Sequence, residues 1–229
     1  GSGRVMAAAA AAPVASTGTL TVTAGAPQVL RIELGPGDPT DPLDTANLAA
    51  GDSLAAYAVL RDGLGNWIAD VSAAWALLDD PAVAMLSSTS GTSVRVYARR
   101  TGRARLQATW SGRVATSGAI DVRAGAASGS VAMTATPDTL RAGAPGTARV
   151  SGGPVHDAFG NPIADGARAG ITITGASAAA GEDVDPSQPG IQRNIAGGMF
   201  DITVVPTVSG AATVAAQAGA VSAQLSYSR

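Results

Sequence analysis

The sequence predicts an all-β chain made of two antiparallel sandwiches in tandem, and three observations carry that prediction. Apolar and polar residues alternate with period two through most of the chain. Turn signals recur about every 8–15 residues, the spacing of sandwich strands. One stretch is copied 95 residues further on.

The strands follow in order. Leu20, Val22 and Ala24 alternate with Thr19, Thr21 and Thr23, which predicts a strand over 19–24. Val29–Leu34 is the next, followed by turn material from Gly35 to Asp44 with Pro36, Pro39 and Pro42 among aspartates. Leu54–Leu60 is a third strand, closed by the hairpin-like turn Asp62-Gly63-Leu64-Gly65-Asn66. Val71–Leu77, Val83–Leu86, Ser93–Ala98, Ala104–Trp110 and Ser117–Val122 complete the first half. Val71–Leu78 is rich in Ala and Leu, which favour helix. It is bounded by Asp70 and by Asp79-Asp80-Pro81 and is too short for an amphipathic helix, so strand pairing is expected to override propensity.

Composition limits the function classes. The 229 residues include 29 Gly and 13 Pro, and only 14% are charged. All 15 basic residues are arginine, and Glu33 and Glu182 are the only glutamates among 17 acids. A net charge of −2 removes the long-range attraction that nucleic-acid binders use. With no cysteine there is no disulfide framework, thiol nucleophile or thiolate metal site. His156 is the single histidine, with no nucleophile elbow nearby, and no glycine-rich nucleotide loop joins a strand to a helix. An enzyme is not expected. No apolar run approaches the ~18 residues needed for a membrane-spanning helix. Gly1-Ser2-Gly3 reads as a cloning remnant; Arg4–Pro13 imitates the end of a signal peptide, but its weak apolar core does not mark where the mature chain starts.

The internal copy sets the organisation. Leu60-Arg61-Asp62-Gly63-Leu64-Gly65-Asn66-Trp67-Ile68-Ala69-Asp70 returns as Val155-His156-Asp157-Ala158-Phe159-Gly160-Asn161-Pro162-Ile163-Ala164-Asp165. Thr19–Ala26 matches Ala119–Ala126, and Thr101–Leu106 matches Ser209–Val214. The growing offset places an insertion at Gly181–Gly190. Two domains are expected, 26–124 and 127–229, with 1–25 a leading segment and linker plus the last strand of a preceding module. The linkers Ala24-Gly25-Ala26-Pro27 and Ala124-Gly125-Ala126-Ala127 are short, which favours an end-to-end array.

His156–Gly166 resembles the Asp-x-x-Gly-Asn-Pro-Val signature of bacterial immunoglobulin-like domains of the invasin/intimin type. Asp80-Pro81-Ala82-Val83-Ala84 and the strand Gly102–Ala108 resemble a related bacterial group. Trp67 stands where the signature has proline, and the second copy lacks the strand tryptophan. The resemblance implies two tandem immunoglobulin-like antiparallel β-sandwiches from an exported adhesin-like protein, at the bacterial outer surface or extracellular. There such modules serve as stalks or spacers. Their partners are neighbouring modules of the same chain, and for some tip copies a glycan or protein.

Local chemistry explains the signature residues without the family. Asp62, Asn66, Asp157 and Asn161 can fold back onto local N–H groups. Gly65 and Gly160 permit positive φ, and Pro162 presets the turn exit. No cofactor is expected, although two acid clusters offer calcium seats: Asp38, Asp41 and Asp44 with Asp52, and Glu182, Asp183 and Asp185. Neither has helix–loop–helix spacing, and solvated loop acids are the plainer reading.

An alternative function is carbohydrate or protein binding through an exposed face. If strands 93–98 and 104–110 pair, Arg95, Arg99, Arg103 and Arg105 gather on one face suited to an anionic partner. Trp67 is the other candidate, as a stacking aromatic or a cap on the end of the sandwich. Trp75 and Trp110 alternate with apolar neighbours and are expected in the core.

Overall fold

The computed structural model describes residues 2–8, 10, 14–38, 41–139, 146–207 and 210–228. Gly1 of the leading tripeptide and Ala9, Ala11 and Ala12 of the alanine run lie outside the described residues. Among the described residues there are strands and turns but no helix. They form two tandem immunoglobulin-like sandwiches.

In the first sandwich, one sheet runs in the order Ala84–Leu86, Ser93–Ala98, Ser53–Arg61, Val29–Glu33, with Trp67–Asp70 also pairing the 53–61 strand. The other runs Ser90–Gly91, Ala73–Asp79, Gly102–Trp110, Ala119–Arg123, Thr45–Ala49, with Arg113–Thr116 on the 102–110 strand. All pairs are antiparallel except 119–123 with 45–49, which run parallel. The 45–49 strand follows the proline-rich turn and adds to the expected strands: Ala46 and Leu48 alternate with Thr45 and Asn47 and pack against the core.

Alternation places the core as expected. Val94, Val96 and Ala98 face in while Ser93 and Arg95 face out; Ala104, Leu106 and Ala108 face in while Arg103 and Arg105 face out. Trp75 is 4% exposed and its Nε1–H donates to the Gly91 carbonyl at 2.9 Å. The Val71–Leu78 stretch is strand from Ala73, anchored to 102–110 with Leu77 opposite Leu106. Pairing on both edges outweighs its helical propensity.

The second sandwich pairs Ala132–Thr136, Ala148–Gly153, Phe200–Pro206 and Ala176–Ala178 in one sheet. Ile191–Asn194, Arg168–Thr174, Ala211–Ala218 and Val221–Ser228 form the other. The copied sequence is therefore also a copied pairing: 73–79 pairs 102–110 as 168–174 pairs 211–218. Val150, Ile171, Ile202 and Val214, all 0–1% exposed, centre its core.

Ahead of the first sandwich, among the described residues, Leu20–Thr21 pairs with Ser2–Gly3, and Met6–Ala7 with Ala15–Ser16. The strand expected over 19–24 is thus two residues long. Its side chains are exposed, so period two has no core to direct it.

Candidate functional site

The two signature turns are built alike. Asp62 Oδ1 accepts the N–H groups of Leu64 and Asn66 at 2.9 Å each, and its Oδ2 accepts the Asn66 amide at 2.9 Å. Asp157 Oδ1 accepts the N–H groups of Phe159 and Asn161 at 2.8 and 2.9 Å, and its Oδ2 the Asn161 amide at 2.8 Å. Gly65 and Gly160, at φ 84° and 80°, let each chain reverse where a Cβ would be strained. Each aspartate also reaches the incoming linker: Gly25 N–H donates to Asp62 Oδ2 and Gly125 N–H to Asp157 Oδ2, both at 2.8 Å. The Asn66 amide, then the Gly25 N–H, hold the Asp62 carboxyl down to about 2. At Asp157 burial pushes the other way, but the Asn161 amide and three backbone N–H groups outweigh it and the pKa lies below the usual range.

What differs is what lies above each turn. Asn161 is 4% exposed and bridges the two sandwiches. Its Oδ1 accepts the Thr101 N–H at 2.9 Å, and its Nδ2 donates to the Arg99 carbonyl at 2.7 Å. The 99–101 turn of the first sandwich is thereby fastened to the signature turn of the second. Phe159 approaches Gly51, where an added Cβ would lie 3.5 Å from its ring. At Gly125 an added Cβ would fall 2.4 Å from the Ala50 carbonyl oxygen, so only glycine lets the linker pass.

The arginines expected on one face are divided between two sheets. Strand 93–98 pairs with 84–86 and 53–61, whereas 102–110 pairs with 73–79, 113–116 and 119–123. The connection 99–101 crosses from one sheet to the other, so no single arginine face forms. Arg95 lies on the first sheet, bonded to Ser53 Oγ at 3.0 Å. Arg103 and Arg105 lie on the second, each in a two-bond pair, with Asp121 at 2.6 and 3.1 Å and with Asp79 at 2.9 Å twice. These arginines lower both carboxyl pKa values. Arg99 contributes to the junction through its backbone carbonyl.

Trp67 begins the 67–70 strand beside Arg61, is 37% exposed, and donates its Nε1–H to Asp70 Oδ1 at 3.1 Å. Its counterpart Pro162 bridges to His156. Trp110 packs against the core, half-buried.

The acid clusters have protein partners. Asp38 pairs with Arg61 at 2.8 Å, and Asp52 accepts the Ala49 N–H at 2.8 Å. Glu182 pairs with Arg193 at 2.8 Å and accepts the Thr203 N–H at 3.1 Å. Asp183 accepts the N–H groups of Asp185 and Gln192, both at 3.0 Å. Among the described residues no three acids or histidines gather at metal-binding distance.

Sequence reasoning missed a buried ion pair between Glu33 and Arg61. Both sit on the outer side of their sheet, where alternation expects solvent. Residues 34–38 and Asp41 fold over them, tied by Leu34 N–H to Asp41 O at 2.9 Å and by Gly37 N–H to the Asp70 carboxylate at 3.2 Å.

No protein-family model matches the chain, and no curated protein matches its sequence. Among solved structures, invasin, titled a bacterial integrin-binding protein, is 13% identical with a TM-score of 0.41, over 88% of this chain and 39% of that one. Domains 5–6 of the S-layer protein SbsC are 14% identical with a TM-score of 0.32, over 88% of this chain and 96% of that one. A β-glycosidase from Bacteroides vulgatus is 13% identical with a TM-score of 0.36, over 78% of this chain. The chain spans 23% of the glycosidase's length. No helix among the described residues is long and apolar enough to cross a membrane.

Proposed function

We propose that this chain is a non-catalytic stalk or spacer segment of an adhesin-like protein exported to the bacterial surface or secreted. Its domains are 26–124 and 127–229, its partners the neighbouring modules of the same chain. The observation that carries the reading is the Asn161 bridge. A stalk has to transmit orientation from one module to the next, and a buried amide with bonds on both sides of a four-residue linker does this. The residues best suited to a ligand are already engaged within the fold: Arg103 and Arg105 by aspartates, the Trp67 indole N–H by Asp70. The resemblance of 156–166 to surface-adhesin modules supports the location.

A glycan array probed with the whole chain, and with Trp67→Ala and Arg103→Ala, tests the reading. The expected result is no specific binding. Specific binding lost in either variant overturns it in favour of a carbohydrate-binding module.

A further inference from the structure

We infer that the free end of the first sandwich, at Leu64 and Asn66, is a docking site for another sandwich of the same kind, placed before residue 26. The inference rests on the stalk reading and names the partner of one particular surface.

Three observations carry it, all from comparison of the two signature turns. The first concerns Asn66. Its counterpart Asn161 uses one amide hydrogen within the turn, the other on the Arg99 carbonyl, and its oxygen on the Thr101 N–H. Asn66 makes the same internal bond to Asp62, but its Oδ1 and second amide hydrogen have no partner among the described residues, and the side chain is exposed. The unused groups are the two that Asn161 offers to a neighbouring turn.

The second concerns Leu64, the counterpart of Phe159. Phe159 lies against Gly51 of the preceding sandwich, whereas Leu64 is 91% exposed. Leu64 and Asn66 border an open groove of about 580 Å³ that Asp62, Gly63, Val22 and Gly25 also line. Phe159 keeps 47% of its surface exposed beside Gly51, so a neighbour placed in the same way would cover part of Leu64.

The third concerns Gly25. Gly125 has to be glycine because the Ala50 carbonyl would meet its Cβ at 2.4 Å. The nearest atom to a Cβ on Gly25 is Asp62 Oδ2 at 3.5 Å, an ordinary contact. Nothing described near Gly25 demands glycine, yet the chain enters the first sandwich with the same glycine, bonded to the same aspartate oxygen at the same 2.8 Å. A carbonyl from an upstream sandwich, placed as Ala50 is placed over Gly125, supplies the missing demand. The occupant is thus a sandwich that brings an Ala50–Gly51-like turn over Gly25 and Leu64, and a 99–101-like turn whose carbonyl and N–H meet Asn66.

The test extends the whole chain by putting a copy of residues 26–125 in place of 1–25, so that Gly125 of the copy takes the position of Gly25. Residual dipolar couplings are measured for all three sandwiches. The expected result is one shared alignment tensor. In the extended chain carrying Leu64→Asp, or separately Asn66→Ala, the added sandwich loses the shared tensor while 26–124 and 127–229 keep theirs. Leu64 is exposed, so its replacement leaves the fold intact. An added sandwich that reorients freely in the unsubstituted chain, while the original two share a tensor, overturns this inference alone. Free reorientation of the original two overturns the stalk reading. Leu64 and Asn66 resonances that move with the concentration of the unextended chain, and not with the added copy, overturn the inference in favour of self-association.

Discussion

The Arg61 guanidinium grips the Glu33 carboxylate through two parallel bonds, Nε to Oε1 at 2.7 Å and Nη2 to Oε2 at 2.8 Å. The two side chains are 7% and 1% exposed. Arg61 Nη1 reaches Asp38 and the Gly65 carbonyl, each at 2.8 Å, so one arginine joins a buried acid, a covering loop and the signature turn. The bond to Glu33 raises the guanidinium pKa above its ordinary value.

Removing one member of such a pair leaves a buried charge, which costs about 3–5 kcal/mol, whereas replacing both by apolar groups is often close to neutral. Glu33→Ala is therefore expected to destabilise the first sandwich by about 3 kcal/mol, and Glu33→Met with Arg61→Leu to recover most of that. All three tryptophans, Trp67, Trp75 and Trp110, lie in this sandwich, so their fluorescence in a urea titration reports it without the second. A single variant within about 1 kcal/mol of the parent contradicts the assignment, that being the range of an exposed pair.

Gly125→Ala drives a methyl against the Ala50 carbonyl oxygen, a backbone atom that cannot swing aside. Overpacking of this kind costs about 1–3 kcal/mol. Gly25→Ala, with no contact under 3.5 Å, is expected to be near neutral in the unextended chain. Amide hydrogen exchange at Ala50, which donates to the Arg123 carbonyl, should quicken in the first variant and stay unchanged in the second. Equal behaviour of the two counts against a close-packed junction.

Much of this was legible because it is local. Period two placed Val94, Val96, Leu106 and Ala108 inward, and the copied Asp-x-x-Gly-Asn marked both turns before their bonds were known. The arginine face failed for a topological reason. The short stretch 99–103 between the two expected strands suggests a hairpin, but the N–H groups of Arg99 and Arg100 both turn to the Val83 carbonyl and the chain crosses to the opposite sheet. Alternation fixes which face a side chain takes, not which sheet its strand joins. Glu33 and Arg61 were invisible for a related reason: outward positions stay outward in sequence until a loop covers them. The Asn161 bridge joins residues 60 and 62 positions apart, and neither Arg99 nor Thr101 carries a side-chain signal for it, since both contacts use backbone.

Asn161→Ala removes both bonds to the 99–101 turn and leaves the Arg99 carbonyl and Thr101 N–H to find other partners. Each net bond is worth about 0.5–1.5 kcal/mol, so a junction loss of about 2 kcal/mol is expected. Asn66→Ala removes only the internal bond to Asp62 and should cost less. The readout is orientation: dipolar couplings of the Asn161 variant should require separate tensors for the two sandwiches, and those of the Asn66 variant a single one. A shared tensor in both variants shows that the linker alone fixes the geometry.

Acid should loosen the signature turns in a defined window. The Asp62 carboxyl titrates at about 2 in the folded chain, below the ordinary aspartate value of about 3.9 that it takes when unfolded. A depressed folded value means that the unfolded chain binds the proton more readily. The stabilisation is therefore complete above about pH 4 and is lost as pH falls toward 2. Asp157 is shifted in the same direction, so the junction weakens on the same side of neutrality. In Asp62→Asn the ionised acceptor is absent at every pH. The difference in urea midpoint between parent and variant, read from tryptophan fluorescence, should be constant from pH 7 to about 4 and shrink below it. Asp79 and Asp121 also hold lowered values and titrate in both proteins, which is why the difference, rather than the parent's own acid profile, carries the test. A difference that stays constant down to pH 2 shows that Asp62 holds its linker and turn partners as well protonated as ionised, and refutes the charge-based account of the turn.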